Sequence, residues 1–124
     1  MKKILCVDDD PSLLRLYHDE LTEEGYIVIL AKDGGEALMK LEKESPDVVV
    51  LDIRMPKIDG IETLTTMLGK DRQVQVILHT SYPQYKENFM TWGADAYVMK
   101  SSDLSELKQK IREVLKRKEK LIKP

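Results

Sequence analysis

Five short apolar runs alternate along the chain with longer segments in which apolar residues recur every three or four positions. Lys3-Ile4-Leu5-Cys6-Val7 has no polar alternation and is too short for a helix, so it reads as a strand buried on both faces. Tyr26 to Ala31, Asp47 to Leu51, Val74 to His79 and Ala96 to Met99 read as four more strands. The first helix starts at Pro11 behind the N-cap Asp10. It offers one broad face of Leu13, Leu14, Leu16, Tyr17 and Leu21, with Leu14 and Leu16 at opposite edges, and ends near Gly25. Asp33-Gly34-Gly35 is turn chemistry leading into a helix that presents Ala37, Leu38 and Leu41 and stops before Ser45-Pro46. A third helix follows Asp59-Gly60, with Ile61, Leu64 and Leu68 toward the core, and breaks at Gly69. Tyr82-Pro83 turns the chain into a fourth, closed after Trp92 by Gly93. Ser101-Ser102-Asp103 caps the last, where Leu104, Leu107, Ile111, Val114 and Leu115 keep helical spacing. Five strands alternating with five helices predict a doubly wound α/β domain on a parallel sheet.

Composition narrows this little. The chain's 124 residues fit one domain that needs neither disulfides nor a structural metal to hold its core. The single Cys6 sits in an apolar run, as a small buried hydrophobe in a reducing, cytoplasmic setting. No apolar stretch approaches the roughly 18 residues of a membrane span, and no long apolar segment follows Met1-Lys2-Lys3. Net charge is −2, but the segment from Lys108 onward carries eight Lys and Arg against Glu113 and Glu119. These basic residues read as a solvated helix face, because no aromatic or glycine-rich nucleic-acid motif accompanies them.

The chemistry collects where strands end. Val48-Val49-Val50-Leu51 runs into Asp52, and a carboxylate closing a buried strand must open onto solvent, a metal or a partner. In an open parallel sheet, ligands bind just outside the carboxyl ends of the strands. The first strand brings Asp8 and Asp9 there, the fourth Thr80, and the fifth Lys100. Three carboxylates against one lysine leave surplus negative charge that a bound cation would relieve, and oxygen donors from two loops suit Mg²⁺. A cation, a hydroxyl and an ammonium together make a clamp for a phosphoryl group, with Asp52 as the nucleophile. His79 precedes Thr80 on a strand and points to the opposite face, and His18 lies on the polar side of the first helix. Both read as bystanders.

Val7-Asp8-Asp9, then Val50-Leu51-Asp52-Ile53-Arg54-Met55-Pro56 with Asp59-Gly60, then Thr80-Ser81, then Gly93-Ala94-Asp95-Ala96-Tyr97-Val98-Met99-Lys100 resemble, in order and spacing, the receiver domain of bacterial two-component response regulators, the fold of the chemotaxis regulator. The resemblance spans about residues 3–118. It implies a five-stranded flavodoxin-like sheet of order 2-1-3-4-5 flanked by five helices, a receiver domain over 1–118, and a frayed basic tail or truncated linker over 119–124. It also implies that Asp52 accepts phosphate from the phosphohistidine of a sensor histidine kinase or phosphotransfer protein. Asp9, Asp52 and the Arg54 backbone carbonyl would ligate Mg²⁺, Asp8 would act through water, and Thr80 and Lys100 would hold phosphoryl oxygens. Thr80 and Tyr97 would form the switch, coupling the site to the face made by the fourth helix, the fifth strand and the last helix. The downstream partner would be a protein target or a fused output domain, with no nucleic acid or membrane bound by this domain itself. The domain would be a monomer, with phosphorylation-driven pairing through the switch face left open.

Two departures from the family pattern stand out. Ser101 replaces the usual proline after the lysine, which bears on the loop before the last helix. Arg54 and Tyr82 are bulky at positions that tune hydrolysis, which implies a longer-lived phosphoryl state. The kinase-facing surface would lie near Ser12 and Leu16 together with Ser101. A binding module that signals without phosphate would lack a pocket acid or the lysine, and neither is missing. A phosphatase of similar topology would need a second aspartate two residues past the nucleophile, where Arg54 stands. Nucleotide binding finds no glycine-rich loop of the required form.

Overall fold

The structure is a computed structural model that describes residues 1–53, 59–71, 73–83, 86–88 and 92–122. Its elements follow one another as β1 (Lys3–Val7), α1 (Pro11–Glu23), β2 (Ile27–Ala31), α2 (Gly34–Glu44), β3 (Val48–Leu51), α3 (Asp59–Lys70), β4 (Gln75–Thr80), β5 (Ala96–Met99) and α4 (Ser105–Ile122). All four strand pairings are parallel, and the sheet order is β2-β1-β3-β4-β5. The order reverses beside β1, and that reversal opens a crevice at the carboxyl ends of β1 and β3.

Alternation along each strand divides the core into two layers. Leu5, Val7, Val49, Leu51, Val76 and Leu78 face one way, where they meet Ala37 and Leu41 of α2 and Leu64 and Met67 of α3. Ile4, Cys6, Val48, Val50 and Ile77 face the other way, against Tyr17 and Leu21 of α1 and Leu107 and Ile111 of α4. Every residue of β3 is buried, as expected for the central strand of a sheet covered on both sides. β2 lies at an edge, and its Ile27 is exposed.

Helix boundaries follow local chemistry. The Asp10 carboxylate accepts from the Ser12 N–H at 2.9 Å and caps α1 as expected, while Asp33, expected only as part of a turn, accepts from the Glu36 N–H at 2.8 Å and caps α2. Gly34 and Gly35, expected as a turn, form the first residues of α2. A Cβ on Gly34 would stand 2.3 Å from Thr63 Oγ1, so glycine there lets α2 approach α3 closely. Gly69 does not end α3, which continues to Lys70, since one glycine weakens a helix by only ~1 kcal/mol. Leu16 is exposed at the edge of the α1 face. Four helices stand among the described residues, not five. In the segment expected as the fourth helix, the described residues lie in turns, with Lys86 N–H bonded to the Pro83 carbonyl and Trp92 N–H to that of Asn88, and the remainder lies outside the described residues. α4 extends to Ile122 through residues expected to fray, because Lys, Arg and Glu favour helix and no Gly or Pro interrupts them. Lys108–Glu20 at 2.8 Å and Arg112–Glu24 at 3.0 Å tie α4 to α1 along their outer edge.

Candidate functional site

Hydrogen bonding continues past the ends of β1 and β3 for one more residue. Asp8 N–H reaches the Ala31 carbonyl at 3.1 Å and Asp52 N–H the Val7 carbonyl at 3.3 Å. This keeps both acids in the strand alternation, Asp8 with Cys6 and Asp52 with Val50, and sets them side by side at the crevice. Lys100 enters from the far side of β4, its own N–H anchored on the Thr80 carbonyl at 2.8 Å. Its Nζ stands 2.7 Å from Asp8 Oδ2 and 3.1 Å from Asp52 Oδ2. The second Asp8 oxygen accepts from the Asp10 N–H at 2.9 Å, which links this acid to the start of α1.

Electrostatics follow from depth. Burial raises the Asp52 carboxyl above the usual carboxylate range, and the Lys100 charge and the Thr80 hydroxyl pull against it without cancelling it. For Lys100, burial opposes the charged form, but the hydrogen bond to Asp8 and the charges of Asp52 and Asp8 outweigh it, leaving the ammonium more basic than usual. The ammonium is therefore held firmly charged between two carboxylates.

Asp8, Asp9 and Asp52 also line one cavity of about 100 Å³, closed by Lys32, Asp33, Gly34, Gly60 and Thr63. Gly60 matters to its shape: a Cβ there would lie 3.0 Å from Ile53 Cα and 3.4 Å from the Asp52 carbonyl, so α3 can start this close to the site only with glycine. No group of three or more His, Cys, Asp or Glu among the described residues is drawn tightly enough to hold a metal ion by itself. Mg²⁺ does not require one, because it keeps several of its own waters and takes one or two carboxylates. The carboxylates of Asp8, Asp9 and Asp52 in this cavity supply that oxygen-donor chemistry. Arg54, whose carbonyl was expected to add a ligand, and Met55-Pro56 lie outside the described residues.

Thr80 follows the opposite alternation from Asp52 and is fully buried. Its hydroxyl donates to the Ile53 carbonyl at 3.1 Å and accepts from the Tyr82 N–H at 3.3 Å. Tyr97, buried at 8% exposure, donates its hydroxyl to the Tyr82 carbonyl. Thr80 and Tyr97 thus bind the two ends of one residue's backbone, and Tyr82 joins them. The loop after Lys100, where proline was missing, is closed by Ser101 Oγ on the Asp103 carbonyl and by Ser105 N–H on the Asp103 carboxylate, both at 3.0 Å.

His79 does lie opposite Thr80, but that face is the one carrying Asp8 and Asp52, so it sits beneath the site and bonds Tyr17. Strand parity was the signal that could have placed it there. His18 is exposed beside Asp19, away from the cluster. Lys32, Gly60 and Thr63 were not foreseen as cavity walls, because no local motif marks them.

The fold and the acid–lysine cluster define a doubly wound α/β domain with its chemistry at the reversal of strand order. Residues 4–112 match the response regulator receiver domain. The chain belongs to this family, the receivers of two-component systems. Similar solved structures include the regulator TrrA of Thermotoga maritima in complex with Mg²⁺-BeF. TrrA is 42% identical over 91% of this chain and 98% of its own, with a TM-score of 0.83. TrrA bound to the histidine kinase ThkA matches at 43% identity over 93% and 99% of the two chains, TM-score 0.82. A CheY-like receiver from Methanospirillum hungatei is 35% identical over 97% and 98%, TM-score 0.88. Among curated proteins, the transcriptional regulatory protein PhoP of Bacillus subtilis is 37% identical over 95% of this chain and 50% of its own length. The chain spans about half the length of the curated relatives it matches. No helix among the described residues is long and apolar enough to cross a membrane.

Proposed function

We propose that this domain takes a phosphoryl group on Asp52 from the phosphohistidine of a sensor histidine kinase or phosphotransfer protein. The observation that carries the reading is the Lys100 ammonium bridging Asp8 and Asp52 at 2.7 and 3.1 Å outside the carboxyl ends of β1 and β3. An Asp52 oxygen attacks phosphorus and forms an O–P bond. The P–N bond to the donor imidazole breaks, its electron pair returns to nitrogen, and the proton that neutral imidazole needs comes from solvent. Lys100 moves its charge from two carboxylates to the incoming phosphoryl oxygens, at no cost in recruiting a new cation. Asp8 and Asp9, with Asp52 and the Arg54 carbonyl, would hold Mg²⁺, which when bound neutralises phosphoryl charge and steadies the geometry of transfer. A relative of 42% identity that holds Mg²⁺-BeF supports this assignment.

Thr80 and Tyr97 form the readout. A phosphoryl oxygen near Asp52 competes with the Ile53 carbonyl for the Thr80 hydroxyl, and movement of Thr80 disturbs the Tyr82 backbone that Tyr97 also holds. The phosphate then favours one of two packings of β5 and its neighbouring helices, as a population shift. The chain is a regulator that modifies itself and does not turn over an outside substrate. A kinase-bound relative supports the choice of donor, and transcriptional regulators twice this length support a fused output domain or a protein target.

The test is intact-protein mass after incubation with Mg²⁺ and acetyl phosphate. One added phosphoryl group on the wild type and none on Asp52→Asn is expected. No addition to the wild type, or equal addition to both, would overturn the reading.

A further inference from the structure

A polar pair that the proposed chemistry does not use lies beneath the Asp8–Lys100–Asp52 cluster. Tyr17 of α1 is 1% exposed and His79 of β4 is 2% exposed, and the Tyr17 hydroxyl meets His79 Nδ1. The rings tilt by 57° with centroids 5.7 Å apart. Their surroundings are the apolar layer of Ile4, Cys6, Leu21, Val50 and Ile77, where an unmatched hydroxyl or imidazole would be costly to bury. Burial, and then the nearby Lys100 charge, holds the His79 imidazole down to about 4, so it is neutral at ordinary pH. Burial likewise keeps the Tyr17 phenol protonated. Tyr17 therefore donates, Nδ1 accepts, and the imidazole proton sits on Nε2.

Register gives the pair its position. Val7, Leu51 and Leu78 are aligned across β1, β3 and β4, so the next row holds Asp8, Asp52 and His79 side by side on one face. Thr80 follows His79 directly. The charges of Lys100 and Asp8 reach His79, and those of Asp8 and Asp52 reach Tyr17. Two apolar side chains would fill this volume equally well. A hydrogen bond adds direction, fixing how α1 seats against the end of β4 at the depth of the site.

We propose that Tyr17 and His79 are positioning residues: their hydrogen bond locks the carboxyl end of β4 against α1 and so holds Thr80, Lys100 and Asp52 in the geometry that accepts a phosphoryl group. The proposal rests on Asp52 being the phosphoacceptor. A loosened seat slows transfer without altering how donor is captured, since neither side chain reaches the cavity.

Phosphorylation time courses by intact mass, with Mg²⁺ over a range of acetyl phosphate concentrations, test it on wild type, Asp52→Asn, Tyr17→Phe, His79→Leu and His79→Gln, with thermal melts alongside. Tyr17→Phe and His79→Leu should lower the maximal rate about tenfold, equivalent to ~1.4 kcal/mol of barrier, with half-saturating acetyl phosphate within about twofold of wild type. His79→Gln, whose amide oxygen can still accept from Tyr17, should recover most of that rate. If Tyr17→Phe is unfolded at the assay temperature, His79→Leu against His79→Gln carries the comparison. Folded variants that all match wild type, or no recovery by His79→Gln over His79→Leu, would overturn the positioning role. Equal labelling of Asp52→Asn and wild type would instead overturn the phosphoacceptor reading, and an unlabelled wild type would overturn both.

Discussion

Replacing Lys100 with methionine removes the ammonium that bridges the buried carboxylates of Asp8 and Asp52. Its Nζ lies 2.7 Å from Asp8 and 3.1 Å from Asp52, whose side chains are 1% and 6% exposed. At an effective dielectric of about 20, each attraction is worth roughly 5–6 kcal/mol before desolvation is charged against it. Taking one partner out of a buried ion pair costs about 3–5 kcal/mol net, because the remaining charge stays buried. Lys100→Met should therefore lose about 3–5 kcal/mol in Mg²⁺-free buffer at neutral pH. With a slope near 2 kcal/mol/M, the urea midpoint falls by roughly 2 M. Asp52→Asn leaves Lys100 its shorter contact to Asp8 and should cost about 1 kcal/mol or less, consistent with a carboxyl that burial already disfavours as an anion. The double variant should then be more stable than Lys100→Met alone, since two carboxylates no longer share the space without a cation. Added Mg²⁺ should narrow the gap between Lys100→Met and wild type. A Lys100→Met protein within about 1 kcal/mol of wild type, additive with Asp52→Asn and indifferent to Mg²⁺, would refute the charge balance drawn for the site.

Three further outcomes are expected. His79 is pushed from 6.5 to about 4 by burial, so between those values the unfolded chain binds a proton that the folded chain refuses. Stability is fully present above pH 6.5 and falls by about 3 kcal/mol as pH drops to 4, and urea midpoints of wild type against His79→Leu should show that slope in the first and lose it in the second. Gly60→Ala drives a Cβ against Ile53 Cα at 3.0 Å and should destabilise by about 1–3 kcal/mol despite alanine's helix preference, while also slowing phosphorylation; a neutral variant would mean that α3 can back away. Arg54→Ala combined with Tyr82→Ala should quicken loss of the phosphoryl group, measured as decay of the phosphorylated mass after donor removal, and an unchanged decay would rule out shielding by these two side chains.

Strand chemistry makes most of this molecule legible from its sequence alone. Runs such as Val48 to Leu51 have no polar face, so burial on both sides and a parallel sheet followed directly, and the acids that end them had to gather at one edge. Asp8, Asp52 and Lys100 meet there because the register aligns Val7 with Leu51. The segment between β4 and β5, with apolar residues such as Tyr85, Phe89 and Trp92, was expected as a helix; its described residues form turns, and the others lie outside the described residues. His79 was read as a non-catalytic residue opposite Thr80, and the structure adds what that reading did not draw from strand parity: its own face carries Asp8 and Asp52, and its ring bonds Tyr17. The close contact of Gly34 with Thr63 joins residues far apart in the chain, and no local pattern announces such a pair.

The most direct measurement is the position of the acyl phosphate itself. Protein phosphorylated with Mg²⁺ and acetyl phosphate, reduced with borohydride and digested, should carry homoserine in place of Asp52 and nowhere else. Homoserine at Asp8 or Asp9, or an unmodified Asp52 in protein whose intact mass shows the added phosphoryl group, would contradict the assignment of Asp52 as the residue that receives the signal.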